Sequence, residues 1–142
     1  MSQVFNADKF TPHAAQSSYY SDFFTNFTAH PDLGDLVIKK NEDAVKQAIR
    51  NLLLTNKYER PFQPQFGGNL RNYLFEPMSA VTQSGLQEEI TSIITNYEPR
   101  VRLISVVVTP YVEQNAYAIT ITFYILNITT PVTLQTILYR VR

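Results

Sequence analysis

Asn96-Tyr97-Glu98-Pro99-Arg100 is where this chain changes period. Ahead of it, Leu86, Ile90, Ile93, Ile94 and Tyr97 recur at the spacing of one helix face. Behind it, Val101 to Val108 is rich in the β-branched residues that suit strands. Pro99 explains the break: it disfavours helical geometry at Glu98 and has no backbone N–H to donate. A carboxylate and a guanidinium are left flanking a rigid residue. Such a corner serves either as a structural clamp or as a docking point.

Downstream the pattern is β throughout. From Tyr117 to Ile125, apolar Ile119, Ile121, Phe123 and Ile125 alternate with Thr120, Thr122 and Tyr124. That period of two places one face on a core and the other towards solvent or a partner. The strand over about 101–110 pairs with it across Glu113-Gln114-Asn115 as an antiparallel hairpin. A third strand over 132–141 carries Leu134, Ile137, Leu138, Tyr139 and Val141. Its apolar residues do not alternate cleanly, which predicts a bulge or burial on both faces.

Upstream of the corner, a helix starts near Thr82 or Ser84, with Gly85 in its first turn. Before it, Asn69 caps a short helix over 69–75 that ends at Glu76-Pro77. Glu59-Arg60-Pro61-Phe62-Gln63-Pro64-Gln65-Phe66-Gly67-Gly68 is an irregular loop, because two prolines and two glycines forbid a regular helix or central strand. Phe62 and Phe66 are expected to pin it to the body, and Gly67-Gly68 to allow positive φ or close backbone approach. Earlier still, Asn41 caps a helix to about Asn56. Its core face is Val45, Ile49, Leu52 and Leu53, with Lys46, Gln47, Arg50 and Asn51 mostly facing away. Leu36 to Lys39 leads in as a short extended segment.

Residues 1–35 lack a period. They hold Phe5, Phe10, Tyr19, Tyr20, Phe23, Phe24 and Phe27, seven of the chain's nine Phe and nine Tyr. Disordered tails are poor in aromatics, so these rings are expected to bury, in the chain's own core or in a neighbouring subunit. The expected architecture is α+β: two main helices packed on a three- to four-stranded, mainly antiparallel sheet. Residues 1–35 form an N-terminal aromatic docking arm and 36–142 one domain.

Composition narrows the function. A length of 142 residues with 44% hydrophobic residues supports one domain with a real core. Twelve basic and twelve acidic residues balance, so the basic excess of a general nucleic-acid binder is absent. Without cysteine there is no disulfide, thiol catalysis or thiolate metal site. No apolar run approaches a membrane span and no secretory signal pattern opens the chain. The expectation is a soluble protein used in a cytosol or assembled there into something larger.

Catalytic constellations are weak. Glycosidase chemistry needs two carboxylates roughly 5 to 10 Å apart across a cleft. Of Glu59, Glu76, Glu88, Glu89 and Glu98, the adjacent Glu88 and Glu89 read as a solvated helix face. Glu76 and Glu98 each precede proline, and Arg100 suits Glu98 to a salt bridge rather than to acid catalysis. His13 and His30 have no partner at ligand spacing. No serine nucleophile motif is legible, and the Gly-Gly pair lacks the remainder of a phosphate-binding loop. No catalytic, cofactor-binding or metal-binding residue is assigned. What remains is interaction chemistry: an apolar terminal strand with an edge for strand addition, an aromatic arm, and a charged corner.

Three motifs in order carry a resemblance: Arg60-Pro61-Phe62-Gln63-Pro64-Gln65-Phe66-Gly67, Leu74-Phe75-Glu76-Pro77 and Asn96-Tyr97-Glu98-Pro99-Arg100. Over about residues 36–142 the chain resembles the gene-25-like baseplate wedge family of contractile phage tails, related to a baseplate component of type VI secretion systems. The resemblance implies a virion protein of the tail baseplate, assembled in the host cytoplasm. Its implied role is structural, as an inner wedge protein and sheath initiator. It implies that Glu98, Pro99 and Arg100 meet the wedge core bundle. The last strand, with Leu134, Ile137, Tyr139 and Val141, becomes the sheath-facing edge, and Arg60, Pro61, Phe62, Phe66 and Gly67 form a structural loop. Implied partners are other wedge proteins, the tail sheath, and the tail tube or hub, with no cofactor, nucleic acid or membrane. The alternatives are a lysozyme-like, peptidoglycan-degrading baseplate enzyme and a soluble regulatory module on the same fold.

Overall fold

A computed structural model of the chain describes residues 20–23, 29 and 38–140. The expectations for Phe5, Phe10, Tyr19, Phe24, Phe27, His13, His30, Leu36, Val37 and Val141 lie outside the described residues.

The elements are β1 (Ser21–Phe23), β2 (Ile38–Lys40), α1 (Glu42–Leu54), α2 (Leu70–Phe75), α3 (Ala80–Tyr97), β3 (Val101–Tyr111), β4 (Ala116–Ile125) and β5 (Val132–Tyr139). β3, β4 and β5 form one antiparallel sheet in that order, and β1 pairs antiparallel with β2 in a second, two-stranded sheet. The expected α+β architecture is met.

The core lies between the helices and one face of the larger sheet. The alternating face of β4 is buried throughout, at Tyr117, Ile119, Ile121, Phe123 and Ile125. α3 meets it with Leu86, Ile90, Ile93 and Ile94, and α1 with Val45, Ile49, Leu52 and Leu53. Both sets are the helical faces read from spacing. Each such side chain contributes about 1.5–3 kcal/mol on burial.

Several local expectations are corrected. α3 begins at Ala80, earlier than Thr82 or Ser84, because Ser79 is the N-cap and its Oγ accepts from the Thr82 N–H at 3.2 Å. Gly85 therefore sits beyond the first turn, where an added Cβ would come within 2.6 Å of the Tyr73 ring. Asn41 and Asn69 stand at N-cap positions without capping through their side chains. Asn41 instead accepts from the Tyr20 N–H, and the Asn69 N–H is taken by Glu89 at 3.1 Å. Glu89, also 3.8 Å from Lys57, is thus tied to a neighbouring loop rather than solvated. Gln47 is buried, bonded to Asn51 and to Lys39.

β5 carries no bulge. Its register with β4 runs unbroken from Val132–Phe123 to Tyr139–Ala116, with Val132, Leu134 and Leu138 inward and Ile137 and Tyr139 exposed. The irregularity belongs to β3, between Leu103 and Ser105, and moves the inward set from odd to even residues. One extra residue does this, because side chains alternate with a period of two.

Candidate functional site: the Glu-Pro-Arg corner and the outer strand

Glu98 ends α3 and Arg100 leads into β3. The Glu98 N–H donates to Ile94 O and the Val101 N–H to Glu98 O, so the backbone turns within three residues. The two side chains fold back on each other: Arg100 Nε reaches Glu98 Oε1 at 2.5 Å and Arg100 Nη2 reaches Oε2 at 2.7 Å. This fork is the strong form of ion pair, two parallel charge-assisted hydrogen bonds. The Glu98 side chain is only 7% exposed against 33% for Arg100, so the carboxylate is the buried partner. The bond to Glu98 raises the Arg100 pKa above its ordinary value, against an opposing desolvation. Pro99 stands exposed at the tip.

Two aromatic groups frame the pair. The Arg100 guanidinium lies 5.6 Å from the Tyr20 ring centroid, and the Tyr20 hydroxyl donates to Leu126 O. On the other side Tyr97 packs on Phe66, with centroids 5.0 Å apart, and its hydroxyl donates to Gln65 O. Arg60 caps Phe66 at 4.3 Å. A shallow polar recess joins Arg60, Phe66, Tyr97, Glu98 and Arg100 with Asn51 and Thr55 of the α1 end. The corner and the Arg60–Gly67 loop, separate in sequence, thus make one surface.

Within that loop Gly67 has the left-handed backbone expected, φ 95°, and an added Cβ would lie 2.4 Å from Thr55 O. Phe66 is an anchor. Phe62 is not: its ring is fully exposed, because the loop turns it outward. Pro61 is exposed as well.

The other assigned residues lie on β5. Leu134 is in the core, whereas Ile137 and Tyr139 are 48% and 61% exposed. Among the described residues β5 pairs with β4 alone, and no charged residue occurs from Val132 to Tyr139. The opposite edge, β3, is guarded by Arg102, Pro110 and its bulge, all devices that discourage strand addition. The contrast was readable in the sequence, but only sheet order shows which strands are edges.

Glu76 and Glu98 do not converge. Glu76 precedes α3 and Glu98 follows it, and a helix of 18 residues is about 27 Å long at about 1.5 Å per residue. Among the described residues, no group of three or more His, Asp or Glu is placed to hold a metal ion, and no helix is long and apolar enough to cross a membrane.

This fold is shared with solved chains of contractile baseplates. It is similar to a chain of the anti-feeding prophage baseplate, with a TM-score of 0.60 and 20% identity, covering 87% of this chain and 86% of that one. It is also similar to a Geobacter sulfurreducens protein provisionally named a tail lysozyme, with a TM-score of 0.68 and 25% identity, covering 75% and 96%.

Residues 39–129 match the model of the baseplate wedge protein gp25 family, and the chain belongs to that family. It is 32% identical over 84 residues to the baseplate wedge protein gp25 of Enterobacteria phage T4. That match covers 59% of this chain and spans 64% of the relative's length. The family expected from the three motifs is therefore the right one, and its phage T4 member is a tail baseplate component.

Proposed function

We propose that this chain is a structural wedge component of a contractile tail baseplate. It docks on the wedge core through the Glu98-Pro99-Arg100 corner and offers β5 as the template on which the tail sheath starts. Residues 1–35 act as the docking arm and 36–142 as the wedge domain; the pairing of Ser21–Phe23 with β2 roots the arm on the domain.

One observation supports this reading: among the described residues β5 is an outer strand paired on one side only, with a regular register, no proline and no charge. Free proteins normally blunt such an edge. Leaving it clean is understandable if another chain's strand completes the sheet. The family of the chain supports the baseplate setting. The partners of this reading are other wedge proteins and the sheath, with the tube or hub as neighbours.

The rival reading is a peptidoglycan-degrading enzyme, favoured by the provisional name of the Geobacter protein. The span of α3 between Glu76 and Glu98 argues against that pair, because the two groups must act on one glycosidic bond.

The test replaces Ile137 and Tyr139 by lysine. Baseplates should assemble with the altered chain in place and fail to seed sheath. Normal sheath growth would overturn the edge-template role. A zymogram in which the unaltered chain clears peptidoglycan and Glu76→Gln or Glu98→Gln does not would establish the enzymatic reading instead.

A further inference from the structure

Five described residues other than glycine have positive φ: Asn41, Tyr58, Phe62, Asn115 and Asn127. Asparagine tolerates this region through local hydrogen bonding of its short side chain. Tyr58 at 66° and Phe62 at 67° have no such excuse, since bulky side chains are rare outliers there. Both belong to the loop beside the Glu98–Arg100 corner. Neither relieves the strain by burial: Tyr58 is 75% exposed and Phe62 102%.

The loop is closed tightly. The Tyr58 N–H donates to Pro64 O at 2.8 Å, Gln63 N–H to Arg60 O, and Phe66 N–H to Gln63 O. Glu59 accepts from the Asn56 N–H at 2.8 Å, and Tyr97 holds Gln65 O. The surrounding bonds therefore hold the strained backbone in place, and that backbone carries the Phe62 side chain outward. An exposed aromatic alone is ordinary; one that is exposed on a strained, hydrogen-bonded backbone is not. Such strain collects where a chain recognises something.

The surroundings say what is recognised. Phe62 stands over an uncharged groove with Gln63, Pro64, Gln65, Phe66 and Tyr97. At its side Arg60 stacks on Phe66, bonds only weakly to Gln63, and has no carboxylate within salt-bridge distance among the described residues.

We infer that Phe62 is the anchor residue of a protein–protein contact: it fills a one-ring apolar socket on another baseplate chain, whose rim carries a carboxylate for Arg60. This rests on the wedge reading above. It adds to the charged corner an apolar anchor, shared through Phe66 and Tyr97. A loop backbone already ordered by its own hydrogen bonds lowers the ordering cost of binding. Aromatic and arginine anchors of this kind dominate interface energies.

The test uses baseplate particles made without this chain as the probe, with purified full-length variants added and bound protein measured by co-sedimentation. Phe62→Gly relieves the left-handed backbone, so its thermal midpoint should rise while its affinity for the particles falls about 30-fold or more. Phe62→Asn, which tolerates the same backbone, should lose affinity to the same extent. Arg60→Ala should lose about 10-fold. Binding of Phe62→Gly and Phe62→Asn within 3-fold of the unaltered chain overturns the inference while leaving the wedge reading intact. Failure of the unaltered chain to bind overturns both. Self-association of the isolated chain that Phe62→Gly abolishes would assign the ring to a second copy and overturn the inference as stated.

Discussion

Arg100 grips Glu98 from two residues away, both guanidinium bonds landing on one buried carboxylate across the rigid Pro99. The corner is therefore an intramolecular clamp in the free chain. It can be a docking point only with the pair intact, or by exchanging the pair for a partner's groups. Because Glu98 is buried, Arg100→Ala strands a carboxylate and is not a neutral probe of docking. Removing one partner of a fully buried pair costs about 3–5 kcal/mol, and the partial exposure of Arg100 lowers the expectation to about 2–3 kcal/mol. Arg100→Lys should recover only part, since an ammonium cannot form the fork. Urea unfolding of Arg100→Ala, Glu98→Gln and the double variant checks this. The double variant should cost clearly less than the sum of the two.

Tyr117 carries the opposite defect. Its ring is fully buried in the core and its hydroxyl has no hydrogen-bond partner among the described residues. An unsatisfied buried polar group costs about 1–3 kcal/mol, so Tyr117→Phe should stabilise the chain by about 1 kcal/mol near neutral pH. Burial raises the phenol above its ordinary value of 10.0, with Arg140 opposing. A raised folded-state value gives stability that is complete below the ordinary value and lost as pH rises through the raised one. Denaturation curves from pH 8 upward should show the unaltered chain weakening past pH 10 faster than Tyr117→Phe.

Gly67 allows neither a side chain nor another backbone. With φ at 95° and Thr55 O at 2.4 Å from a would-be Cβ, Gly67→Ala should cost about 1–3 kcal/mol. Chemical denaturation measures it. A cost within 0.5 kcal/mol, about the scatter of neutral surface changes, would mean that the loop readjusts freely.

Deleting 132–142 is a poor test of the sheath edge. Val132, Leu134 and Leu138 belong to the core, and large-to-small changes at such positions cost about 2–5 kcal/mol each. The truncated chain should be unfolded or insoluble. The pair Ile137→Lys and Tyr139→Lys changes only exposed side chains and should leave the thermal midpoint within a few degrees. Calorimetry of the truncated and the doubly substituted chains separates a core role from an edge role.

The helical and strand faces were legible because burial writes a period into sequence: Val45, Ile49, Leu52 and Leu53 on α1, and Ile119 to Ile125 on β4. The corner was legible because proline has one meaning there. What was not legible depended on contacts distant in sequence. Asn41 and Asn69 look like caps, yet Tyr20 and Glu89 reach them from 21 and 20 residues away. The mixed apolar pattern of the last strand suggested a bulge, yet its outward Ile137 and Tyr139 are simply left uncovered. Phe62 and Phe66 are alike in sequence. A left-handed backbone sends one outward, and the Tyr97 ring holds the other in.

The corner also decides how the domain bears load. Arg100 joins directly to Val101, the first residue of β3, which lies antiparallel to β4 from Val101 to Tyr111 with one irregularity between Leu103 and Ser105. A pull on the corner along the strand therefore acts in shear, straining the β3–β4 hydrogen bonds together. Peeling from the other end would break them one by one. The β3–β4 ladder therefore resists such a pull as a unit, more strongly than it resists peeling.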